Sequence, residues 1–213
     1  LYVAEDSLRG EGITDVQYVK TSGVEKALAS GEVDVATHFC GPLAVQVDNG
    51  DQIVILSGLH PGCVELVGTE QIRSIRDLKG KTVAVTDLGG GRHAFLAVMA
   101  AHVGLDPRKD INIVAHPAAE AMRLLAERKI DGFLAAPPDA QELRAKKIGH
   151  VVVNSMMDKP WSQYFCCMVA LNQQFGRKHP AAARRALRAI LKAADVCARE
   201  PERVARFLVD KGY

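Results

Sequence analysis

The feature that most limits what this chain can fold into is an internal repeat. The stretch Lys26-Ala-Leu-Ala-Ser-Gly-Glu-Val-Asp-Val returns as Arg123-Leu-Leu-Ala-Glu-Arg-Lys-Ile-Asp-Gly. Leu28, Ala29, Val33 and Asp34 fall on Leu125, Ala126, Ile130 and Asp131 at one constant offset. Just upstream, Asp15-Val-Gln-Tyr-Val resembles Asp110-Ile-Asn-Ile-Val. Further back, Gly12 and Gly104 each close a helical stretch, residues 1–9 and 93–103. Each copy therefore reads helix, strand, helix, strand, tight loop, and a repeated supersecondary unit implies two similar lobes.

Short β-branched runs alternating with Ala- and Leu-rich stretches extend this pattern. Strands are expected over 15–19, 33–37, 52–57, 81–86, 110–115, 131–135 and 150–154, with helices near 22–30, 41–49, 91–104, 117–128 and 137–147. Such alternation argues an α/β fold built on a mostly parallel sheet. Ligands of open α/β sheets bind beyond the carboxyl ends of the strands. The segments Thr37-His-Phe-Cys-Gly-Pro and Ala135-Ala-Pro-Pro-Asp, which follow the matched strands, are therefore expected to face each other across a cleft. The second copy is preceded by the strand Lys81-Thr-Val-Ala-Val-Thr and a glycine turn. By the same logic a strand is expected ahead of Leu1, and some tail beyond Tyr213.

Composition narrows the class. Of 213 residues, 48% are hydrophobic and 24% charged, near the globular average, which excludes a disordered or fibrous chain. No run of about 18 apolar residues is present, so no helix spans a membrane. The net charge of +2 hides an asymmetry: from Arg177 onward ten Lys and Arg stand against four Asp and Glu. The Ala- and Arg-rich segment 180–198 opens with Pro180 in a first-turn position and reads as a helix. No aromatic residues interleave its bases, so it is taken as a solvated helix face, and nucleic acid is not an expected partner. The five cysteines, Cys40, Cys63, Cys166, Cys167 and Cys197, show no CxxC and no zinc-type spacing, so no metal is expected. They are read as small buried thiols, with a Cys40–Cys63 disulfide as the alternative, since both follow expected strands. No signal peptide is visible, which carries no information about export.

Longer phrases bring a family into view. Gly31-Glu-Val-Asp-Val-Ala, Ser74-Ile-Arg-Asp-Leu-Lys-Gly-Lys-Thr-Val-Ala-Val and Gly104-Leu-Asp-Pro resemble the solute-binding proteins of ABC importers. The group is the nitrate/sulfonate/taurine and thiamine-pyrimidine-precursor (NMT1/THI5-like) type. The Pro180 helix and Glu200-Pro-Glu-Arg-Val-Ala-Arg-Phe-Leu are similar to its helical tail, and Tyr2-Val-Ala-Glu5 to the phrase after its first strand. The resemblance implies a two-lobed, type II periplasmic-binding-protein-like α/β fold, each lobe a mostly parallel sheet flanked by helices, with a helical C-terminal region. Lobe one would hold residues 1–72 and 166–213, lacking its first strand, and lobe two residues 73–165. It further implies a non-enzymatic, extracytoplasmic monomer without cofactor. That protein would capture a small anionic or pyrimidine-like solute and deliver it, by hinge closure, to a membrane permease. Two alternatives stay open: an enzyme on the same scaffold, and a ligand-sensing domain. Against the pyrimidine synthases, only Cys166-Cys167 stands where they carry a cysteine-rich iron motif.

Candidate contacts follow from the loops. In Asp87-Leu88-Gly89-Gly90-Gly91-Arg92-His93 three glycines allow close backbone approach, and a helix N-terminus offers N–H groups to an anion onto which Arg92 can fork. The run is neither a Walker A loop nor a dinucleotide fingerprint. His38 either hydrogen-bonds a ligand, with Thr37, Phe39 and Cys40 beside it, or is a structural histidine bonded to backbone. Pro137 and Pro138 fix the loop and supply apolar surface, or equally just start a helix, where proline at the first turn is favoured. Glu65, in an apolar strand, binds an amine or simply faces water. Trp161 is the candidate lid, stacking on a flat ligand or packing in the core, with Tyr164 next to it.

Overall fold

The computed structural model describes residues 1–21 and 23–212. They divide into two compact units, one of residues 1–60 with those from 167 on, the other of residues 61–166. Along the chain run α1 (Glu5–Gly10), α2 (Val24–Ser30), β1 (Val35–Phe39), α3 (Cys40–Asp48) and β2 (Ile53–Pro61). Then come β3 (Glu65–Gly68), β4 (Lys81–Val85), α4 (Gly91–His102), β5 (Ile111–Ala115), α5 (Ala118–Ala126), β6 (Gly132–Ala135), α6 (Asp139–Ala145) and β7 (His150–Asn154). The chain closes with β8 (Phe165–Asn172), α7 (Gln173–Lys178), α8 (Pro180–Arg199) and α9 (Pro201–Asp210). The expected helix start at residue 22 lies outside the described residues.

In the second unit the sheet order is β5-β4-β6-β3-β7. β4 pairs in parallel with β5 and β6, while β3 runs antiparallel to β6 and β7. Pleating sends alternate side chains to opposite faces. Val83, Val85, Leu66 and Leu134 pack on one face with Leu96, Met99 and Leu78. Ala84, Val67, Phe133 and Ala135 pack on the other with Met122, Leu125 and Leu143. Sheathing on both faces is why β4 and β6 read as unbroken apolar runs. Helix α5 meets the sheet through Ala121, Met122 and Leu125, one stripe at helical spacing.

The first unit carries a three-stranded sheet, β1-β8-β2, with β1 antiparallel to β8. Val169 packs with Leu8, Ala189 and Ile190 on one face, and Ala170 with Leu28, Leu43 and Ile53 on the other. Helix α8 buries Ala183, Ala186, Ala189, Ile190 and Ala193 and leaves its arginines in water, as expected of a solvated face. Glu11 ties α1 to it, accepting from Arg188 Nη2 at 2.6 Å and from Lys192 Nζ at 3.3 Å. The Arg188 hydrogen bond foremost, with Lys192 adding to it against desolvation, lowers the Glu11 carboxyl from 4.5 to about 2.

The repeat survives as geometry. The α2–β1 and α5–β6 segments correspond, and β1-β8-β2 follows the same order as β6-β3-β7. The Asn172 N–H donates to the Asp34 carbonyl and the Thr69 N–H to the Asp131 carbonyl, each at 2.9 Å. Two expectations need correction. Residues 15–19 form no strand: they are exposed, and Tyr18 rests on Tyr2 with ring centroids 4.6 Å apart. A strand exists only as one side of a hydrogen-bonded ladder, and no described strand takes the place beside β1 that β4 takes beside β6. In the first unit β1 runs antiparallel to β8. The expected unit boundary at residue 72 also moves, because the ladder of β3 runs with β6 and β7, both in the second unit.

Candidate functional site

Register brings one edge of the five-stranded sheet into focus. Val85 lies beside Ala115, and Glu65 lies between Ala135 and Asn154. The carboxyl ends of β4, β5, β6 and β7 and the first residue of β3 thus share an edge, where the loops 86–90, 136–138 and 155–164 emerge.

The glycine loop is held by its own side chains. The Gly89 N–H donates to His93 Nδ1 at 2.8 Å, which leaves Nε2 to carry the proton of a neutral ring. The Thr86 hydroxyl donates to Asp87 Oδ1 at 2.9 Å, and the other oxygen of Asp87 lies so close to the Gly90 backbone that a Cβ there would sit 1.4 Å from it. Only glycine admits that approach. The N–H groups of Gly90, Gly91 and Arg92 make no hydrogen bond among the described residues, so the α4 N-terminus still offers donors, with a carboxylate already close by. Arg92 does not fork outward. Its side chain is 19% exposed and lies against Asp139, Nη1 to Oδ2 3.8 Å, with Nη1 itself buried and lacking a hydrogen-bond partner.

Glu65 enters the same edge from β3. Its Oε1 accepts from Asn154 Nδ2 at 3.3 Å and its Oε2 from Arg144 Nη1, a guanidinium carried by the last turn of α6. Neither the bound amine nor the plain solvated carboxylate of the sequence reading describes it. Asn154 is fixed in turn, accepting the Met156 N–H at 2.9 Å and donating its own N–H to Asp158 Oδ2 at 2.7 Å. Beneath this network Ser155, 2% exposed, accepts the N–H groups of Cys63 and Val64 at 3.1 and 3.0 Å and donates to the Val64 carbonyl at 2.7 Å.

Trp161 follows the packing alternative. It is 8% exposed, with ring contacts to Phe95 at 5.5 Å and His102 at 5.1 Å, inside the core of the second unit. Tyr164, at 67%, and Leu88, at 58%, are exposed apolar groups of the edge, beside Met156 and Met157. Pro137 and Pro138 stand between β6 and α6, where they start the helix.

In the first unit the expected loop after β1 does not exist. Pairing with β8 continues through Phe39, and α3 begins at Cys40. Thr37, His38 and Phe39 are strand residues. His38 Nε2 meets Glu25 Oε1 on α2 at 2.8 Å, and its ring lies 5.9 Å from that of Phe39. Cys40 and Cys63 are both half-buried, the first in the first unit and the second in the other. The residues that sequence reading missed are Asp139, Arg144, Asn154 and Ser155. Arg144 and Glu65 are far apart in the chain, and no local pattern announces their pairing.

A helical tail, a repeated α/β unit and loops on a carboxyl edge can be set beside known proteins. The family model described as the NMT1-like family matches residues 5–207. The chain belongs to the NMT1-like family. Among curated relatives of the family, the nitrate/nitrite binding protein NrtA of Nostoc sp. (strain PCC 7120) is 24% identical over 144 residues. That alignment takes in 67% of this chain and 32% of the relative, so the chain spans about a third of that protein's length. Among solved structures, the periplasmic aliphatic sulphonate binding protein SsuA of Escherichia coli superposes with a TM-score of 0.80 at 17% identity, covering 99% of this chain and 75% of that one. The periplasmic nitrate-binding protein NrtA of Synechocystis PCC 6803 gives 0.71 at 17% identity, covering 93% and 58%. These likenesses establish the periplasmic-binding-protein fold. No helix among the described residues is long and apolar enough to cross a membrane.

Proposed function

We propose that this chain is the extracytoplasmic substrate-binding component of an ABC importer, which captures a small oxyanion-bearing solute, leaves it chemically unchanged and delivers it to a membrane permease. The observation that carries this reading is the sequence relationship to a nitrate/nitrite binding protein within a family match that runs nearly end to end. The fold likeness to a sulphonate-binding protein supports it, and nitrate and sulphonates share compact, singly charged oxygen clusters. On the second unit the proposed contacts are the unbonded N–H groups of Gly90 and Gly91, with Leu88 and Tyr164 as apolar neighbours.

The test is thermal unfolding of the purified protein against nitrate, ethanesulfonate, benzoate and a neutral aminopyrimidine. A solute that binds only the folded state stabilises it by about 2.7 kcal/mol at a hundredfold excess over Kd. Saturable stabilisation by one of the two oxyanions is expected. A melting temperature indifferent to the whole panel refutes the reading.

A further inference from the structure

An oxyanion receptor at the carboxyl edge needs a cation whose donors are not already committed. The sequence pointed to Arg92, and the geometry directs that group elsewhere. Facing Asp139 at 3.8 Å, with Nη1 enclosed, Arg92 is drawn between the first turns of α4 and α6.

Arg144 is placed differently. It is carried by α6, and its guanidinium ends at the first residue of β3. Only Nη1 is engaged, on Glu65. Nε and Nη2 make no hydrogen bond among the described residues, and the side chain is 45% exposed. The anchor is rigid: Glu65 is 14% exposed, both of its oxygens are occupied, and Asn154 is tied on two further sides. A guanidinium held by one nitrogen keeps a fork of two parallel N–H donors, the pattern that matches two oxygens of a nitrate, sulfonate or carboxylate. Fixing that fork in advance removes the rotamer entropy that a free arginine loses on binding.

We propose that Arg144 is the residue that grips the oxyanion of the captured solute, with Glu65 and Asn154 as its positioning residues. The assignment rests on the solute-binding function proposed above. Glu65 balances the arginine's charge while the site is empty, so the site favours a single-charged headgroup over a multiply charged one such as a phosphate dianion.

The experiment is calorimetric titration of nitrate and ethanesulfonate into wild type and the variants Arg144→Gln, Arg144→Lys, Arg92→Gln and Arg123→Gln, with solute-free thermal unfolding of each. Arg123 is a surface residue paired with Glu127 and controls for loss of one charge. Arg144→Gln and Arg144→Lys are expected to bind the anion at least about tenfold more weakly while melting within a few degrees of wild type. Lysine fails with glutamine because it keeps the charge and loses the fork. Arg123→Gln is expected to bind within about twofold of wild type. Wild-type affinity in Arg144→Gln overturns the assignment, as does a tenfold loss in Arg92→Gln with Arg144→Gln unaffected. A wild type that binds the neutral aminopyrimidine but neither anion also overturns it, and leaves the solute-binding function standing. A wild type that binds nothing overturns both.

Discussion

Replacing Asp131 by alanine is expected to destabilise the protein by about 1–2 kcal/mol, and the same change at its repeat partner Asp34 by under about 0.5 kcal/mol. The two aspartates hold matching places before β6 and β1, and both use their carbonyls alike. Only their carboxylates differ. Asp131 Oδ2 accepts the Thr82 N–H at 2.9 Å, and Oδ1 stands 3.7 Å from Lys81 Nζ, which pins the start of β6 to the start of β4. The Asp34 carboxylate makes no hydrogen bond among the described residues, because no strand stands beside β1 in the place of β4. A hydrogen bond to an ionised acceptor contributes about 1.5–3 kcal/mol. At 29% exposure water replaces part of that, and a 3.7 Å surface pair adds a few tenths. Urea unfolding at pH 7 measures both variants, with an unchanged m-value as the check that only stability moved. For a chain of this size the Asp131 variant is expected to melt about 3–6 °C lower. Equal losses at the two positions refute the reasoning, since the repeat would then be energetically symmetric despite its unequal ladders.

Three further outcomes are expected. The Glu11 carboxyl titrates at about 2 in the folded chain, below its ordinary 4.5, so the stability it contributes is complete above pH 4.5 and is lost as pH falls toward 2. Glu11→Gln therefore flattens that part of the acid limb when urea midpoints are compared across it; an unchanged limb counts against the ion pair. Gly149→Ala is expected to cost about 2–3 kcal/mol, because φ is +65° and the added Cβ would lie 2.7 Å from the Gly68 carbonyl oxygen. Gly104→Ala, at φ +84° with open space around it, isolates the left-handed cost at about 1 kcal/mol, and equal losses would show that the contact with Gly68 does not matter. Ser155→Ala leaves the N–H groups of Cys63 and Val64 without the hydroxyl and is expected to cost about 2 kcal/mol by urea unfolding; a loss under 0.5 kcal/mol would refute the role given to Ser155.

Local pattern made most of the second unit legible. The run Lys81–Val85, the stripe of Ala121, Met122 and Leu125, and the strand ending at Asn154 all announce themselves through residues close in sequence. What escaped depends on partners distant in the chain. Residues 15–19 carry the β-branched pattern of β5 but lack a ladder. Glu65 reads as a half-exposed strand residue until Arg144 and Asn154 are brought beside it. Trp161 looks like a lid because a lone tryptophan near a crossover is ambiguous, and only Phe95 and His102 resolve it. Arg92 was visible as a cation on a helix N-terminus, but Asp139, which claims it, follows two prolines and looked like an ordinary helix start.

The position of β8 has a consequence for how the chain is made. The second unit is one uninterrupted stretch, residues 61–166, whose strands are all available once Asn154 has been synthesised. The first unit is not. Its middle strand is β8, and β1 and β2 wait on either side of a gap until residues 165–172 leave the ribosome. During translation the later-encoded half can therefore be complete while the earlier-encoded half still exposes two strand edges and the apolar side chains of Leu28, Leu43 and Ile53. All the strands of the later-encoded unit are thus available before the middle strand of the earlier-encoded one.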